Sequence, residues 1–174
     1  MDRLRYPIGR FEGIPNSTAD QRAGWMEEIK QCSRKLRFHV QNLTLEQLHT
    51  PYRSGGWTVQ QVIHHMADND MNAYIRFKRA LTEDQPAAST YKEDLWADLS
   101  DYQETPIEIS MAILESLHAR FAILLDSLTP LDFERTFTSP THGLMSLDIA
   151  LQRFAWHNRH HIEQITSVKE RLEW

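Results

Sequence analysis

The sequence has little of what builds disulfide-bonded, turn-rich or membrane-spanning proteins. Its 174 residues include a single cysteine, Cys32, which excludes an internal disulfide framework and fits a reducing compartment. Only six glycines and seven prolines are present, which disfavours a β-sandwich or barrel with many tight turns. No apolar run approaches the roughly 20 residues of a membrane-spanning helix, and the N-terminal residues lack the apolar stretch of a secretory signal. We therefore expect a cytoplasmic protein without a membrane partner.

The sequence also lacks the positive charge that nucleic-acid binding requires. Its 24 acidic residues outnumber 19 basic ones, which gives a net charge of −5. No block of lysine and arginine interrupts this balance. Proteins that bind the phosphate backbone normally carry a basic patch or stripe. We therefore expect a small-molecule substrate rather than nucleic acid.

What the sequence does contain is apolar residues at helical spacing. Four long segments follow the 3.6-residue period, and no run of useful length alternates with a period of two. The starts of these segments carry typical helix-capping or first-turn residues: Ser17 or Thr18, Thr58, Pro106 and Ser146. Long polar connections occupy residues 83–105 and 129–146. The pattern predicts an all-α fold, a four-helix bundle with long crossover connections, as one domain over 1–174 with an extended arm at 1–16.

The last predicted helix contains three histidines within five residues. At 100° per residue, His157 and His161 lie about 40° apart on the apolar face of this helix. His160 lies at the edge of that face, and Arg159 points away from it. Two imidazoles one turn apart can bind one metal ion, as helical HxxxH zinc motifs do. The alternative is a pair of histidines at the edge of the core, hydrogen-bonded to carboxylates or to the backbone.

The second long helix contains the adjacent pair His64 and His65. The two rings lie on opposite flanks of its apolar face, so the pattern does not choose between them. Either one, together with two histidines of the last helix, would form a three-histidine site. A zinc ion with three protein nitrogens keeps a fourth position for water or substrate, which is the catalytic arrangement.

Three segments of the chain resemble a known family. They occur in the order YPIGRF, PYRSGGWTVQQVIHHMADNDMNAYIRFKRALTE and WHNRHHI, and they are similar to the YfiT group of metal-dependent hydrolases in the DinB-like superfamily. The resemblance implies a four-helix bundle, usually a homodimer, with one divalent ion, Zn²⁺ or Ni²⁺, per subunit. It also implies that His65, His157 and His161 are the ligands. Family members often carry a further histidine where this chain has Arg159, but that position faces away from the apolar face.

Hydrolysis is the first function that such a site predicts, because a three-histidine metal ion activates water at neutral pH. A carboxylate close by would act as general base. Asp68 follows the histidine pair by about one turn and is our candidate, with Glu163 and Asp70 as weaker ones. The alternative for each is a solvated carboxylate or an ordinary ion pair.

Two other functions use the same ligands. A metal ion with an open position can hold a thiolate, so a thiol S-transferase using bacillithiol, mycothiol or glutathione is the alternative enzyme. Arg53, Arg76 and Lys78 could then contact polar groups of the thiol. The third possibility is a metal-stabilised bundle without catalysis, whose closed ion would be needed for folding.

Overall fold

The computed structural model of the chain describes residues 2–174. Within this range the structure is helical apart from its connections and one hairpin. The helices are α1 (Asp2–Arg5), α2 (Ala19–Val40), α3 (Leu45–Leu48), α4 (Val59–Thr82), α5 (Glu93–Ala97), α6 (Ser100–Glu104), α7 (Ile107–Asp126) and α8 (Leu147–Arg171). The hairpin consists of β1 (Thr136–Ser139) and β2 (Gly143–Ser146).

The long helices begin where the capping residues predict. Thr18 and Thr58 each accept a hydrogen bond from the backbone N–H of a glutamine three residues later, and that glutamine side chain accepts from the threonine N–H. The hydroxyl of Ser146 accepts from the N–H of Ile149 at the start of α8. These bonds satisfy amides that the first helical turn leaves unpaired. No helix in the described part of the chain is long and apolar enough to cross a bilayer.

Two local predictions are wrong. The N-terminal arm is not extended throughout, because Asp2–Arg5 form one turn of helix. Residues 136–146, expected to be an irregular connection, form the β1–β2 hairpin, in which Phe137 pairs with Met145 and both side chains are buried. Strands of four residues are too short to show a period of two, and a four-residue helix is too short to show a helical one. Residue 1, also part of the predicted arm, lies outside the described range.

The four long helices form a bundle in which α2 and α4 each pack against both α7 and α8. The core has two apolar clusters. One cluster contains residues from the N-terminal halves of α4 and α7 and the C-terminal halves of α2 and α8. The other cluster contains residues from the opposite ends of these helices. Helices α4 and α7 therefore run in the same direction, and α2 and α8 run against them. Consecutive parallel helices require a connection that returns along the bundle, which is why residues 83–106 are long. The predicted crossover bundle is confirmed.

Buried polar side chains lie between the two apolar clusters. On α4 the gap between the clusters contains Asp70, and on α7 it contains His118. On α8 the gap spans residues 156–164, which include the histidine-rich stretch. The fold thus places its polar chemistry in a layer near the middle of the bundle.

Candidate metal centre

Three histidine side chains converge where α4 faces α8. His65 lies on α4, and His157 and His161 lie one turn apart on α8. Nε2 of His157 lies 3.1 Å from Nε2 of His65 and 3.2 Å from Nε2 of His161. One ring nitrogen of each histidine lies within 4.8 Å of the other two. Two nitrogens bound to a tetrahedral zinc ion lie about 3.3 Å apart, so the two distances from His157 fit ligands of one ion, with His65 and His161 on either side of it.

The three rings are uncharged at neutral pH. Burial lowers the pKa of His65 to about 3, and the neighbouring His160 adds to the effect. Burial, reinforced by the neighbouring histidines, also holds the pKa of His157 and His161 well below its usual value. Within residues 2–174 none of the three pairs with a carboxylate. A metal ligand must offer a lone pair, so neutral imidazoles without an anionic partner suit a cation.

Gln164 fixes the proton of His161. Nδ1–H of His161 donates to the side-chain oxygen of Gln164 at 2.9 Å. The amide nitrogen of Gln164 donates to the carbonyl oxygen of Arg5 and to Nε2 of His160, both at 2.9 Å. Because the amide nitrogen has acceptors of its own, the oxygen must face His161. Nε2 of His161 is then left with its lone pair directed at the other two rings.

Asn69 occupies the corresponding place behind His157. Its side-chain nitrogen lies 3.1 Å from Nδ1 of His157 and 3.3 Å from Oδ1 of Asp70. A His157 that offers Nε2 to a metal ion carries its proton on Nδ1, so it needs an acceptor at this place. A 180° rotation of the Asn69 amide would place its oxygen there, at the cost of the hydrogen bond from its nitrogen to Oδ1 of Asp70.

The other two buried histidines of these helices have different partners. The sequence did not distinguish His64 from His65 as a ligand. In the structure, Nδ1 of His64 lies 2.7 Å from the hydroxyl oxygen of Ser110. Its Nε2 lies 3.1 Å from the carbonyl oxygen of Thr105. His160 stacks on Trp156 with ring centroids 4.8 Å apart and receives the hydrogen bond described above. Neither belongs to the converging group, which we call the histidine trio (His65, His157 and His161).

Two cavities meet at His157. The N-terminal cavity, of about 320 Å³, lies between the N-terminal segment, the loop 52–57 and α8, and it touches all three histidines of the trio. The hairpin cavity, of about 120 Å³, lies between α4, α8, the β1–β2 hairpin and the segment 89–93. Glu93, Arg153 and His157 line both. The structure thus gives access to the trio from two sides.

The loop 52–57 forms a close wall of the N-terminal cavity because two glycines allow a tight turn. Gly55 has a φ of +65°, which side chains other than glycine rarely adopt. A Cβ atom on Gly56 would lie 2.7 Å from Cγ of Arg53. The turn places Trp57 against His65, with ring centroids 4.7 Å apart.

The carboxylates expected from the sequence lie away from both cavities. Asp68 accepts a hydrogen bond from the hydroxyl of Tyr102 at 2.5 Å. Asp70 is fully buried and accepts from Nε2–H of His118 at 2.7 Å. Glu163 lies at a separate groove between α2 and α8. None of the three lines a cavity that reaches the trio.

Sequence reasoning missed two features. Glu93 and Asp94 are the carboxylate residues that line the N-terminal cavity, and they belong to the connection before α7, where no periodicity marks a side chain as functional. The Asp70–His118 pair did leave a signal. At 100° per residue, Asp70 lies about 20° from Val59, in the middle of the apolar face of α4, where an unpaired carboxylate would not be stable.

Comparison with known proteins gives three findings. The sequence model described as the DinB superfamily matches residues 28–165. Relatives from Bacillus mycoides (strain KBAB4) and Bacillus anthracis (strain CDC 684), each named a "Putative metal-dependent hydrolase", are 47% identical over 174 residues, which is the full length of both chains in each case. The structure of YfiT from Bacillus subtilis, described as a probable metal-dependent hydrolase with an unusual four-helix bundle topology, is 42% identical. It matches with a TM-score of 0.96 over 99% of each chain.

A further structure shows likeness in fold alone. TT2238, described as a four-helix bundle protein, is 19% identical, with a TM-score of 0.61 over 83% of this chain and 98% of its own.

Proposed function

This chain belongs to the DinB superfamily, and we propose that it is a metal-dependent hydrolase whose single divalent ion is held by His65, His157 and His161. One observation carries the proposal: three uncharged imidazoles, two buried and one half-buried, converge with no carboxylate between them. Buried polar atoms are costly unless they are paired, and a shared cation is the partner that suits all three at once. The names of the full-length relatives agree with it.

Zn²⁺ or Ni²⁺ is the ion we expect. Neutral imidazole nitrogens bind both, and the single cysteine is buried elsewhere in the core, so sulfur ligation is not available. Bound by the three imidazoles, such an ion would supply a site for water or substrate and the Lewis acidity that activates water at neutral pH and polarises a carbonyl oxygen.

We assign proton transfer to Glu93. It lines both cavities beside His157, whereas Asp68 is held by Tyr102 outside them. The pKa of the Glu93 carboxyl is raised, chiefly because its surroundings are partly desolvated and secondarily because Asp94 lies close. A raised pKa suits a carboxylate that must take up and release a proton near neutral pH. Asp68 stays a prediction from the sequence, and the pair of variants Glu93→Gln and Asp68→Asn separates the two assignments.

The test is metal-dependent hydrolysis. Protein stripped with a chelator and reloaded with Zn²⁺ or Ni²⁺ is assayed on a panel of aryl esters and amides. We expect turnover only in the loaded protein, and about 10²- to 10⁴-fold less in Glu93→Gln with metal content unchanged. Loaded protein that turns over no ester or amide would contradict hydrolysis. Full activity of Glu93→Gln would contradict only the assignment of the base.

A thiol S-transferase is the second candidate, and the meeting of two cavities at His157 favours it. A transfer between two molecules needs both to approach the ion together, whereas hydrolysis needs one molecule and water. Parallel assays with bacillithiol, mycothiol or glutathione and an alkylating electrophile test this candidate. Metal-dependent conjugation without hydrolysis would make the transferase the function.

The remaining parts of the proposal have simple tests. We expect a cytoplasmic homodimer, and light scattering on the purified protein measures its mass. A non-catalytic, metal-stabilised bundle is the third possibility, and it predicts that metal removal unfolds the chain. A catalytic ion predicts a folded metal-free protein that takes up metal again.

A further inference from the structure

Two arginine side chains line the hairpin cavity without an ion pair. Nη2 of Arg76 donates to the carbonyl oxygen of Ser89 at 3.2 Å, and the guanidinium of Arg153 lies 5.4 Å from the centre of the Phe11 ring. Across residues 2–174, every arginine–carboxylate pair involves other arginines. Both side chains are half-buried, so their charges are partly desolvated; burial lowers the pKa of both guanidinium groups, while the charge of Glu93 raises it. Desolvated charges without a counter-ion are unfavourable unless a ligand supplies one.

Two more side chains at the cavity offer no negative charge. The hydroxyl of Tyr91 is buried and has no hydrogen-bond partner in the described part of the chain. The pKa of His142 is lowered by partial desolvation, and the nearby Arg153 and Arg76 lower it further. The carboxylate at the cavity is Glu93, which is exposed and forms no direct ion pair with either arginine, although its charge raises the pKa of both guanidinium groups. Two guanidinium groups against one carboxylate leave the cavity positive.

Apolar side chains form much of the remaining wall, which also includes the trio residue His157. The apolar residues are Phe77, Phe137, Met145 and Phe154, and the polar ones are Asn69, Ser89, Thr90, Ser139 and Thr141. A ligand that fits this cavity has a short apolar body between its charged end and the group that reaches the metal centre. Ligand sites typically combine an apolar lining with a few convergent polar groups in this way.

We propose that the hairpin cavity binds the anionic end of the substrate, a carboxylate or a phosphate monoester on a short apolar chain, through Arg76, Arg153 and the hydroxyl of Tyr91. Guanidinium groups donate paired hydrogen bonds that match both anions, and a phenol donates a third. The inference rests on the proposed function only in taking the bound molecule to be the substrate. Binding itself is measured apart from turnover.

The experiment compares three probes of one chain length: hexanoate, hexyl phosphate and 1-hexanol. Calorimetry measures their binding to the purified protein, and again after metal removal, so that an anion bound to the metal ion itself is recognised. We expect one or both anions to bind at least about tenfold more tightly than the alcohol, with or without metal. Hexanoate alone, or hexyl phosphate alone, would identify which anion the substrate carries.

Variants locate the site. Arg76→Gln and Arg153→Gln should each weaken anion binding about tenfold or more, and Tyr91→Phe should weaken it less, while 1-hexanol binding is unchanged. Arg159→Gln is the matched control on α8, because Arg159 is exposed and paired with Glu28. Circular dichroism checks that each variant is folded.

The outcomes separate this inference from the proposed function. Anions that bind no better than 1-hexanol, or that bind folded Arg76→Gln, Arg153→Gln and Tyr91→Phe as tightly as the wild type, would overturn the inference. Either result leaves the metal content and the hydrolysis assays untouched. Arginine-dependent anion binding in a protein that hydrolyses nothing would support the anion site and count against the hydrolase.

Discussion

The Asp70–His118 pair and the histidine trio lie in the same polar layer of the bundle, but their ring nitrogens have different partners. His118 donates to the fully buried Asp70 at 2.7 Å, so a carboxylate partner lies beside its ring. The histidine trio has no carboxylate partner within the described residues, and its ring nitrogens face one another at 3.1 and 3.2 Å. His118 thus has its hydrogen-bond partner within the chain, whereas we propose that a bound cation is the partner of the trio.

A structural histidine in this fold differs from the proposed metal ligands in what its ring nitrogens face. Burial alone does not distinguish them, because His118 is buried like His65 and His161 of the trio. The number of histidines alone does not either, because His64 and His160 are also buried and have protein partners of their own. In the trio, several neutral ring nitrogens face one another. The Nδ1 atoms of His157 and His161 contact the side-chain amides of Asn69 and Gln164 rather than a carboxylate.

The largest expected effect comes from a substitution that breaks the Asp70–His118 pair. Asp70→Ala leaves His118 buried without its partner, so we expect the free energy of unfolding to fall by about 3–5 kcal/mol. Urea denaturation measures the loss, and metal content of the folded protein should stay near that of the wild type. The double variant Asp70→Ala/His118→Leu should recover part of the stability. A loss below about 1 kcal/mol in the single variant would show that the pair is not structural.

Acid should act on the trio through the pKa of His65 in metal-free protein. In the folded state this pKa is lowered to about 3. At a pH above about 6.5, the ordinary pKa of histidine, the ring is neutral in both the folded and the unfolded chain, so its protonation does not affect stability. Below about pH 6.5, His65 binds a proton in the unfolded chain but not in the folded chain, so the free energy of unfolding falls as the pH is lowered to about 3.

Comparison with a His65→Asn variant isolates this effect. By about pH 5 the wild type should have lost about 2 kcal/mol more, relative to its stability at neutral pH, than the variant. Thermal unfolding across this range measures the difference. Parallel pH dependence of the two proteins would show that His65 is not held neutral by burial.

The smallest expected effect comes from removing Gln164, the hydrogen-bond partner of His161, rather than a proposed metal ligand itself. Gln164→Ala takes away the acceptor that holds the proton of His161 on Nδ1, so we expect metal affinity to fall about tenfold, about 1.4 kcal/mol. Gln152→Ala is the matched control, because Gln152 is equally buried on α8 but bonds to Ile14 and Ser17. Competition with a chelating dye measures both. Equal affinity in the two variants would contradict the role of Gln164.

Helical periodicity predicted the parts of this molecule whose information is local. Capping residues predicted the start of α2 at Ser17 or Thr18 and that of α4 at Thr58, and the structure has them at Thr18 and Thr58. The helical wheel put His157 and His161 on the apolar face of α8 and Arg159 on the exposed one. These properties depend on residues within a few turns of one another. Neighbours in sequence therefore suffice to predict them.

What the sequence could not predict depends on contacts between distant segments. The ring nitrogens of His64 are taken up by Ser110 and Thr105, more than 40 residues away, and no wheel of α4 alone can show this. The β1–β2 hairpin is fixed by its packing and by the segment 86–88, whose Ala88 N–H donates to Thr138 at 2.8 Å. The hairpin cavity therefore could not be foreseen either.

The measurement that tests the account most directly is the metal content of purified protein by mass spectrometry. The wild type should hold about one Zn²⁺ or Ni²⁺ per chain, and His65→Ala, His157→Ala and His161→Ala should each lose it. His64→Ala and His160→Ala, which change buried histidines outside the trio, should largely keep it. Full metal in folded His161→Ala, or no metal in the wild type even after incubation with either ion, would contradict the three-histidine centre.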